Sequence, residues 1–224
     1  MRIRVAALVV LALVVTACSS TDYEYVRNTD LKAAFKVPTD WEVFDQRGVQ
    51  GTAPGQGGEV PSTTEWLVGI DASPEPSATH VLAATSLAAD YPNGAFQVIK
   101  LTELDRDRMS IGAMRNIVFN IDGIQGDFGT DAVRILTYDD TIDDDGIRGL
   151  HMVAQIQEDA ATGAATAGEQ PGLISSSYIQ LNQRVYWAPQ NDRVYLAVIL
   201  CSVACYERNA GQISSTIDSW TVKL

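Results

Sequence analysis

Three kinds of residue in this 224-residue chain could do chemistry, and their spacing limits what that chemistry is. The first is carboxylate. Asp139-Asp140-Thr141-Ile142-Asp143-Asp144-Asp145-Gly146 places five acids in a short run. Such charges repel unless water or a cation neutralises them. Asp143-x-Asp145-Gly146 echoes the middle of a calcium loop, which makes Asp143 and Asp145 the candidate metal ligands. An EF-hand needs an acid where Thr141 stands and a bidentate glutamate where Met152 stands, so the competing reading is a solvated Asp-Gly hairpin turn. The second is imidazole. His80 and His151 are far apart and lack ligand spacing, and a lone histidine is more often structural than catalytic. The third is thiol: Cys18, Cys201 and Cys205, the last two in Cys-Ser-Val-Ala-Cys. No Gly-x-Ser-x-Gly elbow, His-Glu-x-x-His helix or Ser-x-x-Lys motif is present. Gly123-x-x-Gly126-x-x-Gly129 follows an expected helix instead of opening one after a strand, so it reads as turn glycines and not as a dinucleotide fingerprint. The expectation is no catalytic residue and no cofactor. A carboxylate pair of the glycosidase kind is not locatable among 28 acids.

Cys18 is the thiol with the most context. Arg2 and Arg4 precede an apolar run from Val5 to Val15, and Val15-Thr16-Ala17 leads into the cysteine. The run is shorter than the roughly 20 residues a spanning helix needs and suits a secretory leader. It looks like a bacterial lipoprotein signal, which implies cleavage before Cys18 and lipidation of its sulfur. Residues 1–17 are then the signal peptide, 18–30 the lipidated terminus and a short linker, and 31–224 a single domain. Two acyl chains make a stable anchor where one is marginal, so the expected location is the extracytoplasmic face of the cell membrane. In that oxidising space Cys201 and Cys205 are expected to pair as a disulfide joining a strand end to the following helix. Two free thiols and a partial metal site are the alternatives.

Charge narrows the partners. The chain carries a formal −12, and loss of Arg2 and Arg4 with the leader makes it more negative by two. Nucleic acid binding needs a basic footprint, so it is excluded. An acidic domain does not lie flat on an anionic bilayer either; the lipid on Cys18 would hold it near a surface that its charge avoids. A hydrophobic content of 46% is that of a globular domain.

These groups need elements to position them. Ala33–Pro38 reads as a strand with Trp41–Phe44 as its antiparallel neighbour. Trp66–Ile70 and Ala95–Leu101 read as strands, and Val81–Leu87 as a strand by a small margin. Met114, Ile117, Val118 and Ile121 form one helical stripe, with Gly123 and Gly126 at its end. Val133–Tyr138 and Leu150–Ile156 pair around the acidic turn. Tyr178–Trp187 and Arg193–Leu200 form a hairpin, and its Tyr178, Tyr186, Trp187 and Tyr195 are expected to be mostly core. Ile213, Ile217 and Trp220 mark a last helix, followed by a short strand from Thr221. Two loose stretches, 48–64 and 158–172, are candidate functional loops. About eight strands in meander order with two helices make an α+β fold: an antiparallel sheet with helices packed on it.

Two segments carry a family resemblance. Phe35-Lys36-Val37-Pro38-Thr39-Asp40-Trp41 resembles the opening strand of PsbP-like proteins. Ile217-Asp218-Ser219-Trp220-Thr221-Val222 resembles their closing helix-to-strand segment. The family is shared with Mog-type proteins and with actinobacterial lipoproteins of the LpqN type. The resemblance implies an α/β/α sandwich and a binding or accessory role instead of an enzyme. It carries over no site residue, because Trp41 and Trp220 read as core aromatics. The expected function is a membrane-anchored cell-envelope lipoprotein whose non-enzymatic domain binds an envelope protein. The alternative is a carrier or sensor of a small apolar or glycan ligand, with the two loops as lids; a hydrolase without a recognisable motif is third.

Overall fold

Arg193–Ser202 (β9) is apolar at nearly every position, and such a strand is stable only where both faces are covered. The computed structural model, which describes residues 22–45, 63–142, 146–162, 177–187 and 192–223, places it inside a seven-stranded antiparallel sheet. One neighbour is Asn93–Lys100 (β5), which continues through Thr63–Asp71 (β4) to Glu42–Asp45 (β3) at one edge. The other neighbour is Tyr178–Trp187 (β8), followed by Arg148–Gln157 (β7) and Val133–Ile142 (β6) at the opposite edge. A second sheet of three strands has Ala33–Pro38 (β2) between Tyr23–Asn28 (β1) and Thr221–Val222 (β10).

Two cores lie on the two faces of the large sheet. On the first face, Leu150, Met152, Ala154 and Ile156 of β7, Ile179, Leu181 and Val185 of β8 and Val194 to Leu200 in alternation on β9 pack under three short helices. On the second face, Val68, Ile70, Phe96, Val98, Ala197 and Ile199 pack under the small sheet and the last helix, Val203–Asp218 (α5). This is the expected α+β class. The second outer layer is a helix together with a small sheet.

The two segments that carry the family resemblance meet in that layer. Phe35 stacks on Phe96 with ring centroids 3.6 Å apart, and Trp220 stands edge-on to both. Ser219, just past α5, accepts a hydrogen bond from the Lys36 amide at 2.8 Å and donates to the Thr216 carbonyl at 2.6 Å. Trp41 and Trp220 are buried core aromatics, as expected. Cys201, in β9, and Cys205, in the first turn of α5, form a disulfide with Cα atoms 6.0 Å apart. The helix also starts on a cap, Ser202 Oγ accepting from the Cys205 amide.

Several sequence expectations are corrected. β3 does not pair with β2; it pairs with β4, and β2 pairs with β1 and β10. β1 falls within residues 18–30, read as linker, so ordered pairing starts by Tyr23. Val81–Leu87 is not a strand: it follows a tight 3-10 turn at Ala78–His80 and contains a second at Ala84–Ser86, wrapped over the first core. The order is not a simple meander, because β5 pairs with β9 across a long connection. The single expected helix is three: Glu103–Arg108 (α1), Ile111–Arg115 (α2) and Ile121–Phe128 (α3). Each begins on its own cap, Thr102, Ser110 and Asn120, whose side-chain oxygens accept from Asp105, Ala113 and Gly123 amides. Three good N-caps in sequence restart the helix, while the apolar stripe is kept by packing. Gly123 and Gly126 lie inside α3 instead of ending it, and a Cβ at Gly123 would strike the Asn120 amide. Gly129 is the residue that turns the chain, at φ +89. Residues 158–162 of the second expected loop form a helical turn, Glu158–Thr162 (α4).

Candidate functional site on the open end of the sheet

Strand β8 alternates where β9 does not. Ile179, Leu181, Val185 and Trp187 point to the first core, and Gln180, Asn182, Arg184 and Tyr186 point to the second face. Helix α5 covers that face as far as β8. Beyond it, register places His151 of β7 between Arg184 and Asp139 of β6, and Gly149 between Tyr186 and Thr141. The result is a groove of about 560 Å³ lined by these side chains. Gly149 shapes its floor: a Cβ there would press on Thr141 Oγ1 and lie 3.2 Å from the Tyr186 ring.

The groove is wired to α5 by one chain of contacts. Asn182 Nδ2 donates to Tyr206 OH at 2.9 Å, so Asn182 Oδ1 faces His151 Nε2, also at 2.9 Å, and that nitrogen carries the proton. His151 Nδ1 is thereby directed to Asp139 Oδ2 at 3.7 Å, beyond hydrogen-bond length. Arg184 donates to Asp218 at 2.8 Å. Burial pushes the Tyr206 phenol above its ordinary range, against the opposing effect of the Asn182 hydrogen bond. These groups hold one another in place. They offer a charged, hydrogen-bonding surface with aromatic Tyr186 beside it.

His80 is in a different environment. Its Nδ1 lies 2.8 Å from Asp71, whose fully buried carboxylate also accepts from the Ser73 amide and hydroxyl and the Ser77 amide. This carboxylate anchors the loop after β4 through four contacts, one to Oδ1 and three to Oδ2. His80 and His151 are not brought together: they sit on opposite ends of the fold and have separate partners.

A second groove of about 420 Å³ lies between α5 and the loop before β5, with Asp40, Trp41, Tyr91, Asn209 and Gln212 on its walls and the Arg208–Asp90 ion pair across it. Of the four hairpin aromatics, Trp187 and Tyr195 are core, while Tyr178 and Tyr186 are half-buried on the second face. Cys18, Asp143 and Asp145, and most of the loops 48–64 and 158–172, lie outside the described residues. Among the described residues no cluster of acids, histidines and cysteines has metal-binding geometry. Asp139 and Asp140 belong to β6 and point to opposite faces, and Gly146 adopts φ +77, a left-handed conformation that glycine favours. Sequence reasoning missed Arg184, Tyr186 and Asn182 as a group. The polar alternation of β8 was the available signal.

No family model and no curated protein matches the sequence. Among solved structures the chain is similar to the cyanobacterial PsbP (CyanoP) of Synechocystis, at 11% identity and TM-score 0.48, covering 92% of this chain and 96% of that one. It is similar also to the Ran-binding protein Mog1p of Saccharomyces cerevisiae, at 10% identity and TM-score 0.48, covering 91% and 96%. The α+β class itself rests on this chain's own sheets and helices.

Proposed function

We propose that this chain is a cell-envelope lipoprotein, anchored through lipid on Cys18, whose folded domain is a non-enzymatic binding module for an envelope protein. The carrying observation is the open end of the sheet, where Asp139, His151, Arg184 and Tyr186 line a groove beside two cores of buried apolar side chains. Fixed charges beside a half-buried aromatic suit recognition of another surface. The leader-like sequence before Cys18 supports the location. The Cys201–Cys205 disulfide fits an oxidising compartment.

The test has two parts. Cys18→Ala should move the protein from the membrane to the soluble fraction and remove lipid mass from its N-terminal peptide; a membrane-bound variant would refute the anchor. A photo-cross-linker scanned over exposed positions of both faces, in native envelope, should give discrete protein adducts. Absence of adducts at every position would sink the binding module.

A second reading, a carrier of a glycan ligand, draws on the groove of Asp40, Trp41, Tyr91, Asn209 and Gln212, which offers hydroxyl-binding groups beside aromatic edges. Titration with envelope oligosaccharides, observed through tryptophan fluorescence in the native chain and in Trp41→Phe, separates it from the first.

A further inference from the structure

Most edge strands are protected: short, rich in lysine, or broken by proline. β6 is an edge strand of the large sheet with ten residues, neither lysine nor proline, and no described strand on its outer side. It also exposes large apolar side chains. Ile142 is 63% exposed, Leu136 48% and Tyr138 39%; with Ile135 these are four of the six large hydrophobics most exposed in the described protein. Its protection is a bulge at Leu136 and the charged Arg134, Asp139 and Asp140; after the bulge Thr137–Ile142 pairs regularly with Arg148–Val153. Side chains alternate along that regular stretch. Tyr138, Asp140 and Ile142 share the first face, and Thr137, Asp139 and Thr141 share the groove face with His151 and Arg184.

We infer that β6 is a docking edge for an extended segment of a protein partner, which adds as an eighth strand and carries basic residues opposite Asp139 and Asp140 between apolar ones that cover Tyr138 and Ile142. Strand addition supplies main-chain hydrogen bonds, and alternate side chains supply specificity. Charge selects the occupant. The Asp139 carboxylate is 64% exposed, Asp140 points to the other face, and the sequence continues into Asp143-Asp144-Asp145. A cation on either face of the added strand therefore meets an acid. A second copy of this chain would instead bring like charges together on molecules of −12 each. This inference rests on the binding-module reading and names its surface and the chemistry of its partner.

The experiment uses the full lipidated chain in its native envelope, with a photo-cross-linking residue at Leu136 or, as control, at the exposed Glu207 of α5. Expected are adducts from position 136 and not 207. The cross-linked partner peptide, identified by mass spectrometry, should alternate apolar and Lys/Arg residues. Asp139→Asn with Asp140→Asn should lower adduct yield by about tenfold, through the loss of two exposed charge-assisted contacts. Circular dichroism and thermal melting of each variant establish that it is folded. Adducts from 207 alone would overturn the docking edge while the binding module survives. Adducts from neither would overturn both. A self-adduct, an adduct within the same chain, or a partner peptide without basic residues would overturn the assigned occupant, as would a yield unchanged by the double substitution.

Discussion

The second face of the large sheet has two halves with different chemistry. Over β4, β5 and β9 it presents Val68, Ile70, Phe96, Val98, Ala197 and Ile199 to the small sheet and α5. Over β6, β7 and β8 it presents Asp139, His151, Gln155, Asn182 and Arg184, and among the described residues no helix covers the outer part of this face. One side of the same surface is a core; the other is a prospective interface. The boundary is β8, where Asn182 is buried but polar and links Tyr206 under the helix to His151 in the groove. The fold thus ends the apolar layer on a buried asparagine whose two amide atoms are both hydrogen-bonded.

Substitutions should separate these halves. The largest effect is expected in the closed half: Trp220→Ala removes a 1% exposed aromatic that packs on Phe35 and Phe96 and should cost about 4 kcal/mol in denaturant unfolding. A cost below about 1 kcal/mol would mean that the aromatic cluster is not the core of this layer. Next, Cys201→Ser with Cys205→Ser opens a short loop and should cost about 2 kcal/mol; a protein unfolded by reduction would show the disulfide to be more than a local brace.

At the boundary, Asn182→Ala strips a partner from both Tyr206 and His151 and should cost about 1–2 kcal/mol. The same site sets an alkaline dependence. Burial raises the Tyr206 pKa in the folded state, so the native protein keeps the phenol proton to higher pH than the unfolded chain. Stability is then unaffected below the unfolded phenol value of about 10 and falls as pH rises beyond it. Tyr206→Phe should flatten that fall in melts from pH 9 upward; an identical slope in both proteins would count against it. The smallest effect belongs to the open half. Arg184→Ala breaks an ion pair with the exposed Asp218 and should cost no more than about 1 kcal/mol, while reducing partner adducts at the groove. Equal losses of stability from Arg184→Ala and Trp220→Ala would erase the distinction between the halves.

How much was legible in advance follows the same division. Strands with strong one-dimensional patterns, β2, β4, β5, β7, β8 and β9, were placed close to their observed bounds, because continuous or alternating apolar runs have one stable use in a sheet. Trp41, Trp220 and the Cys201–Cys205 pair were also assigned correctly. The three helices α1 to α3 were merged because apolar spacing outweighed the caps at Thr102, Ser110 and Asn120. Val81–Leu87 has the composition of a strand, but Asp71 and Asn93 bind its backbone and flanking loop: Asn93 Oδ1 accepts from the Leu82 amide and its Nδ2 donates to the Ser86 carbonyl. Asn93 lies outside the apolar run, 7 and 11 residues beyond the groups it binds, so the pattern within Val81–Leu87 does not announce it.

The sequence alone determined the α+β class, the acidic balance and the lipoprotein-like context of Cys18. Each depends on composition or on neighbours along the chain. Tertiary structure decided which strands meet: β2 with β10, β5 with β9, and β6 left at an edge. It also joined Asp139, His151 and Arg184, which come from three strands and share a surface only through register. Pairing is a long-range choice made by packing both sheet faces at once, and a groove built across strands exists only after that choice is made.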